Sequence, residues 1–458
     1  MDQSMQNLPD GFGDATMADV VELRKALDIG YSQPTTGTGF DALRVESLEQ
    51  TLKVLTYSAT HIRLWNAIDK QDAYSTVEEY NRLLSYGGDG GGFLSSGELP
   101  GTEDTTYERA DQKVKYIGTT REVNHPSTLV RTVPPDLIAT ETANGALWMM
   151  GKLNRAMYYA DATAIPLEFN SLTSQIIAGA GNVIDMRGQP LNKDAIENAA
   201  QLSVDNYGLI TQFFSNPKVF TDFSKLHYAQ QRFNQPGTAG NVGTPVKGYS
   251  TLSGDITFQP DVFVRKGDTA PSSATNAKAP AAPTVGTFVI STGVSGSLFG
   301  AADAGDYKYQ VTAVNNYGES APCALTAAQT VVSGGSIAFT ITTGAGTYAE
   351  TAYKIYRTQK GGSVAYYIGE LLPRTKSGGV YQSTTAHTDI NTYLPQTFMG
   401  LALDMTPQSL TFKQLSPMIK MPLAIIAPAI RWMQLLYGTP IVYAAKKSVV
   451  FRNIGVAS

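Results

Sequence analysis

Cysteine is almost missing. Cys323 is the single one in 458 residues, so no intrachain disulfide can hold the fold. No Asn-x-Ser/Thr glycosylation acceptor occurs anywhere. Histidine is scarce too: His61, His125, His227 and His387 are the four, and none has a second His, a Cys or a dense acid pair near it in sequence. Metal-binding spacings are therefore absent. Charged residues make up 16% of the chain, well under the usual quarter, and a net charge of −4 gives no global basic field for nucleic acid. The longest apolar run, Pro422 to Ile430, falls far short of the ~20 residues that span a bilayer. The first residues, Met1-Asp2-Gln3-Ser4, are acidic and lack the basic and apolar regions of a secretory leader. The expectation is a chain that folds in a cytoplasm, without a membrane.

Catalytic constellations are missing as well, and no catalytic, cofactor-binding or metal-ligating residue is assigned. Gly145 to Lys152 has one residue too many for a phosphate loop, and Leu153 stands where Ser or Thr would hold magnesium. The glycines at 87–92 lack dinucleotide spacing, and Gly293-Val294-Ser295-Gly296 lacks the spacing of a nucleophile elbow. Tyr158-Tyr159 and Tyr366-Tyr367 have too few neighbouring cations to serve as base-stacking platforms.

Glycine, threonine, serine and tyrosine are abundant, which suits β-structure and extended packing surfaces. The length allows two to four domains. Residues 1–60 read as an arm, with helical spacing over Met17 to Ile29 and over Ser47 to Leu55. Ser75-Thr76-Val77-Glu78 is a capping-box pattern that predicts a short helix through Leu84. The glycine run 87–92 abolishes helix, and alternation from Tyr107 to Asn124 predicts a strand. This region reads either as a flexible surface loop or as a long hairpin that orders only when another subunit covers it. Pro134-Pro135-Asp136 opens a long helix to about Tyr159, with Ala139, Ala143, Ala146, Met150, Leu153 and Met157 as its apolar stripe. Residues 182–233 read as α/β: a helix from Asn192, a strand near Gln212-Phe213-Phe214 and a helix from Thr221. Gly237 to Gly243 reads as a loop. A strand over Asp255 to Val264 is interrupted by Pro260. Short buried strands are expected at Leu410–Phe412, Ala424–Ile426, Pro440–Tyr443 and Ser448–Arg452.

Charge is unevenly spread. Residues 1–111 carry 19 Asp and Glu against 8 Lys and Arg, whereas 396–458 carry 6 Lys and Arg against Asp404 alone. Such asymmetry fits either plain solvated surfaces or an acidic arm that meets a basic patch on another copy.

Residues 280–391 look like a second protein threaded through the first. A linker of small residues and prolines (272–283) precedes alternating segments, Tyr307 to Ser320 and Tyr353 to Arg357, and host-like sequence resumes after Leu394-Pro395. The insert resembles an immunoglobulin or fibronectin type III module. Tyr307 to Ser320 is similar to strand F and Tyr353 to Arg357 to strand C, in reversed order.

Residues 47–130, 136–161 and 396–458 resemble the major capsid proteins of tailed bacteriophages, the HK-97-like coat fold. The likeness is carried by Ala73 to Asn81, the Gly87–Gly92 run, Tyr107-Glu108-Arg109 leading into Val114-Lys115-Tyr116, the helix Ala143 to Asp161, and the tail from Arg431 through Gly438 to Gly455. The fold class implied is α+β. It comprises an N-terminal arm (1–60), an extended-loop region (61–118), a peripheral domain with the long helix (119–179) and an axial domain (180–272). An all-β Ig-like insert (280–392) and a return to the axial and peripheral domains (396–458) complete it. Lys is absent from 71–112, where a cross-linking donor would be expected.

The resemblance implies self-assembly into hexamers and pentamers of an icosahedral virion shell, built in the host cytoplasm around double-stranded DNA, with the insert facing out. Portal, scaffold and decoration proteins are the implied partners, and no cofactor is. Lys446, Lys447 and Arg452 are the candidates for non-specific DNA contact. The rival reading is a phage or cell-surface adhesion protein that uses the Ig-like module.

Overall fold

The computed structural model describes residues 55–457 except 89–92, 100, 131–135, 228–245, 252, 265–266, 268, 273–275 and 426, and the side chain of Glu370. Most of the arm, the central glycines Gly90 and Gly91, and the 237–243 loop lie outside the described residues.

The chain enters through a short helix, α1 (Leu64–Ala67), and a strand, β1 (Lys70–Asp72). The capping-box segment does not make a helix. It forms β2 (Val77–Ser85), paired antiparallel with β3 (Thr106–Lys113) from Val77↔Lys113 to Ser85↔Thr106. Non-local pairing overrides the local signal: Ser75 Oγ only accepts from the Val77 amide at 3.4 Å, while Arg82 and Glu108 pair across the strands at 3.0 Å. The strand expected over Tyr107–Asn124 is split at buried Val114 into β3 and β4 (Lys115–Asn124).

After α2 (His125–Leu129) comes α3 (Leu137–Tyr159), the longest helix among the described residues. Asp136 caps it, its Oδ1 accepting from the Ala139 amide at 2.9 Å. The buried face is Gly145, Met149, Gly151, Leu153, Asn154, Met157 and Tyr158. Leu153 and Met157 agree with the expected stripe; Ala139 and Ala143 are exposed. Glycines set that face: a Cβ on Gly145 would lie 2.1 Å from Gln434 Oε1, and one on Gly151 2.7 Å from the Tyr57 hydroxyl.

Next come α4 (Leu172–Ala178), β5 (Asn182–Asp185), α5 (Lys193–Val204), β6 (Gln212–Ser215), α6 (Pro217–Leu226), β7 (Gly248–Thr251) and β8 (Gly254–Pro260). Asn192 caps α5 as the sequence implies, accepting from the Ala195 amide at 2.8 Å. The helix expected from Thr221 starts earlier, because Asn216 caps it and Pro217 takes the first turn.

The insert comprises β9 (Thr284–Ser291), β10 (Gly305–Tyr307), β11 (Tyr309–Asn315), β12 (Gly318–Glu319), β13 (Gln329–Val331), β14 (Ser336–Thr342), β15 (Ala352–Thr358), β16 (Ala365–Pro373), β17 (Lys376–Ser377), β18 (Val380–Tyr381) and β19 (Thr384–Asp389). Two sheets, β19-β14-β9 and β12-β11-β15-β16, enclose one core that includes Tyr309, Val311, Phe339, Tyr353 and Ile355. The two segments likened to strands F and C, now β11 and β15, lie side by side and antiparallel.

Beyond the insert are β20 (Phe398–Leu403), β21 (Leu410–Pro422), β22 (Ala429–Val442) and β23 (Val449–Ile454). The short strands expected at 410–412 and 440–443 are the buried ends of the two long strands β21 and β22, whose outer halves are more exposed. Ala424 and Ile425 fall in the turn between them, because both are exposed rather than core.

A four-stranded sheet, β1-β21-β22-β4, lies against α3 and α4. A six-stranded sheet, β5-β23-β20-β6-β8-β7, joins strands from before and after the insert. Its faces separate by alternation. Phe214, Leu401 and Val450 meet the core that holds α3, whereas Phe213, Ala402 and Phe451 meet the core under α5 and α6. Two stretches far apart in sequence thus form one body.

Candidate assembly surface

The β2–β3 hairpin is anchored at its base and bare beyond it. Near the base, Tyr80 packs edge-on against Tyr443 with ring centres 5.0 Å apart. Arg82 Nη1 donates to the Tyr443 carbonyl at 3.4 Å, and Lys413 of β21 faces Glu78 at 3.9 Å. Arg109 pairs with Glu79 across the strands. Further out, Leu83, Leu84, Tyr86, Phe93, Leu94, Leu99 and Tyr107 are exposed, Tyr86 by 85% and Leu99 by 92%. Between Tyr86 and Thr105 stand Asp89, Glu98, Glu103 and Asp104, with no Lys or Arg. So many exposed apolar side chains on one ribbon mark a surface that a partner covers.

A second apolar surface lies at the β21–β22 turn. Ile425 is 79% exposed, with Met421, Ala424, Ala427 and Pro428 around it. The His125 amide donates to the Pro428 carbonyl at 2.9 Å. That bond draws α2, with exposed Leu129 at its end and exposed Val130 after it, toward the same turn. The sequence carried this signal as its longest apolar run, of which Pro422, Ala424, Ile425, Ala427 and Pro428 are exposed.

The C-terminal cations are less available than their count suggests. Lys413 faces Glu78, Arg431 pairs with Glu122 at 3.0 Å, and Arg452 pairs with Asp185 at 3.2 Å. Of the three expected DNA contacts, Arg452 is thus already engaged. Lys446 is exposed and Lys447 half-buried, and neither forms an ion pair among the described residues.

The histidines are scattered. His61 Nδ1 accepts from the Ser58 amide at 3.1 Å, His125 starts α2, and His227 lies 4.5 Å from the Phe223 ring. His387 is buried in the sandwich, where burial lowers its pKa. Cys323 is also buried there. Among the described residues no group of three or more His, Cys, Asp or Glu could hold a metal, and no helix is long and apolar enough to cross a membrane. A cavity of about 790 Å³ lies between the sandwich and the six-stranded sheet.

No family model matches the chain. The major capsid proteins of Staphylococcus phages S25-3 and K are each 25% identical to it, over 99% of this chain and 98% of theirs. The chain is a homologue of phage major capsid proteins. Its helices and sheets have the mixed α+β content that the sequence resemblance implied. Among solved structures, it aligns with the capsid of cyanophage P-SCSP1u at a TM-score of 0.47 and 9% identity, covering 93% of this chain and 97% of that one. The Synechococcus elongatus SrpI encapsulin aligns at 0.43 and 8%, covering 91% and 95%.

Proposed function

We propose that this capsid protein homologue builds an icosahedral virion shell around double-stranded DNA as hexamers and pentamers of itself, and performs no catalysis. The observation that carries the reading is the β2–β3 hairpin. It is fixed at its base by Tyr80, Arg82 and Glu78, and it presents bare apolar side chains with an acidic tip. An isolated ribbon of this kind gains little by folding alone; laid over an adjacent copy it buries its apolar side chains. The β21–β22 turn is a second contact between copies. Uncharged side chains such as Ile425 and Pro428 can meet their own counterparts without charge repulsion.

The sandwich is read as an Ig-like insert on the outer surface, and the chain divides into arm, extended loop, peripheral and axial parts near the boundaries read from the sequence. Assembly takes place in the host cytoplasm, with portal, scaffold and decoration proteins as further partners. Lys446 and Lys447 are the residues offered to packaged DNA, through phosphate charge and without sequence preference. Size-exclusion chromatography with negative-stain microscopy tests the reading. Shells or capsomers are expected from the purified chain; a stable monomer at high concentration overturns it and favours an adhesion role.

A further inference from the structure

The sandwich is bound to the rest of the chain at both of its ends. At one end the chain leaves and returns side by side: a Cβ on Gly267 would lie 2.3 Å from the Thr397 carbonyl. Arg187, just after β5, grips this end. Its Nη1 donates to the Asn391 carbonyl at 2.7 Å, and its Nη2 donates to the Leu298 carbonyl at 2.7 Å and pairs with Asp303 at 3.3 Å. Asn453 of β23 adds two bonds, donating to the Thr392 carbonyl at 2.8 Å and accepting from the Leu394 amide at 2.9 Å.

The other contact is on the loop between α3 and α4. Ala164 and Ile165 are buried against Val314, Ala352 and Leu371 of the sandwich. The β11–β15 register places these at the opposite end: Val314 pairs with Ala352, while Tyr309 pairs with Arg357. Five residues of strand separate the two pairs, roughly 16 Å at strand rise. Glu168 of the same loop is half-buried; desolvation pushes its carboxyl up, against the pull of Lys152 of α3 and Lys354 of β15.

We propose that the sandwich is a strut within its own subunit. It fixes the α3–α4 loop, at the end of the long helix, relative to the β5–β23 edge of the six-stranded sheet. An ornament on a stalk needs only the Gly267–Thr397 stem. The buried Ile165 contact is a second fastening, and a rigid sandwich fastened at both ends resists relative movement of the elements it joins. The inference deepens the shell reading: a subunit held in one shape by its insert presents its hairpin at a fixed angle.

Hydrogen exchange on the full-length chain tests it, with Ile165→Asp and Arg187→Ala made separately. For Ile165→Asp, the core strand β14 should stay protected, while exchange rises about tenfold or more both at the α3–α4 loop and at the distant 391–397 stem. Arg187→Ala should loosen the α3–α4 loop in return. Increases confined to the mutated contact overturn the strut. Should Ile165→Asp fail to fold, Ile165→Ala and Arg187→Gln give the same two-ended readout at smaller amplitude, with the same confined result as refutation. Wild-type particle formation is scored separately by microscopy, so failure of the shell reading is distinguishable from failure of the strut.

Discussion

Arg357→Ala is the sharpest perturbation of the insert. The Arg357 side chain is 1% exposed and its Nη1 bonds Asp389 at 2.5 Å. Its Nη2 donates to Asn391 Oδ1 at 2.6 Å and to the Tyr393 carbonyl at 2.9 Å. Its guanidinium lies 5.1 Å from the Tyr307 ring centre and 5.6 Å from that of Phe299. Asp389 also accepts from the Tyr309 hydroxyl at 2.8 Å and the Asn391 amide at 2.8 Å. Truncation leaves a buried carboxylate without its cation, which costs roughly 3–5 kcal/mol. For a module of this size that lowers the melting temperature by more than about 10 °C. The assay is hydrogen exchange and thermal unfolding of the full chain, read at β14 and β19. Replacing both partners, Arg357→Met with Asp389→Leu, should recover most of the loss, because an apolar pair removes the stranded charge. A single substitution costing under about 1 kcal/mol, or a double no better than the single, refutes the reasoning.

Burial opposes the charged form of Asp389, yet Arg357 and the two hydrogen-bond donors outweigh it and hold the carboxyl below its usual range. Its stabilising contribution is therefore present above the unfolded carboxylate range and is lost as pH falls below about 4, so acid titration should unfold the sandwich by protonating this pair. Glu168 has the opposite sign: its raised pKa means its contribution is present in acid and lost as pH rises through the folded value, so Glu168→Gln should raise the melting temperature at pH 7, and no rise there removes the argument. Leu84→Ser with Leu99→Ser should leave the subunit folded by circular dichroism but abolish particles, each leucine forfeiting about 1.5–3 kcal/mol of burial per contact; normal particles would count against the hairpin. A deletion that joins 267 to 397, which already touch, should still give a folded host, whereas one that joins 279 to 392 should not, because the removed sandwich separates those points; equal behaviour of the two deletions in a solubility and melting assay contradicts the placement.

Local chemistry was legible and non-local chemistry was not. Asp136, Asn192 and the alternation in β11 and β15 declare their elements within a few residues. The β2 segment deceived because Ser75 and Glu78 mimic a helix start, while its strand partners, Glu108 and Arg109, lie about thirty residues away. β20 was missed because Phe398–Leu403 is buried on both faces, which erases alternation. The inner face of α3 was misjudged where Gly145, Gly151 and Asn154 replace large apolar residues. Of the assembly surface, the glycine-rich acidic hairpin could be read in outline. The grip of Arg187 on Asn391 could not, since two hundred residues of chain separate them.

The most direct measurement is an electron cryomicroscopy reconstruction of particles assembled from the purified chain. The account predicts a closed shell in which each 77–113 hairpin lies across an adjacent copy with Leu84 and Leu99 covered. A hairpin folded back on its own subunit, or left in solvent within an intact shell, contradicts it.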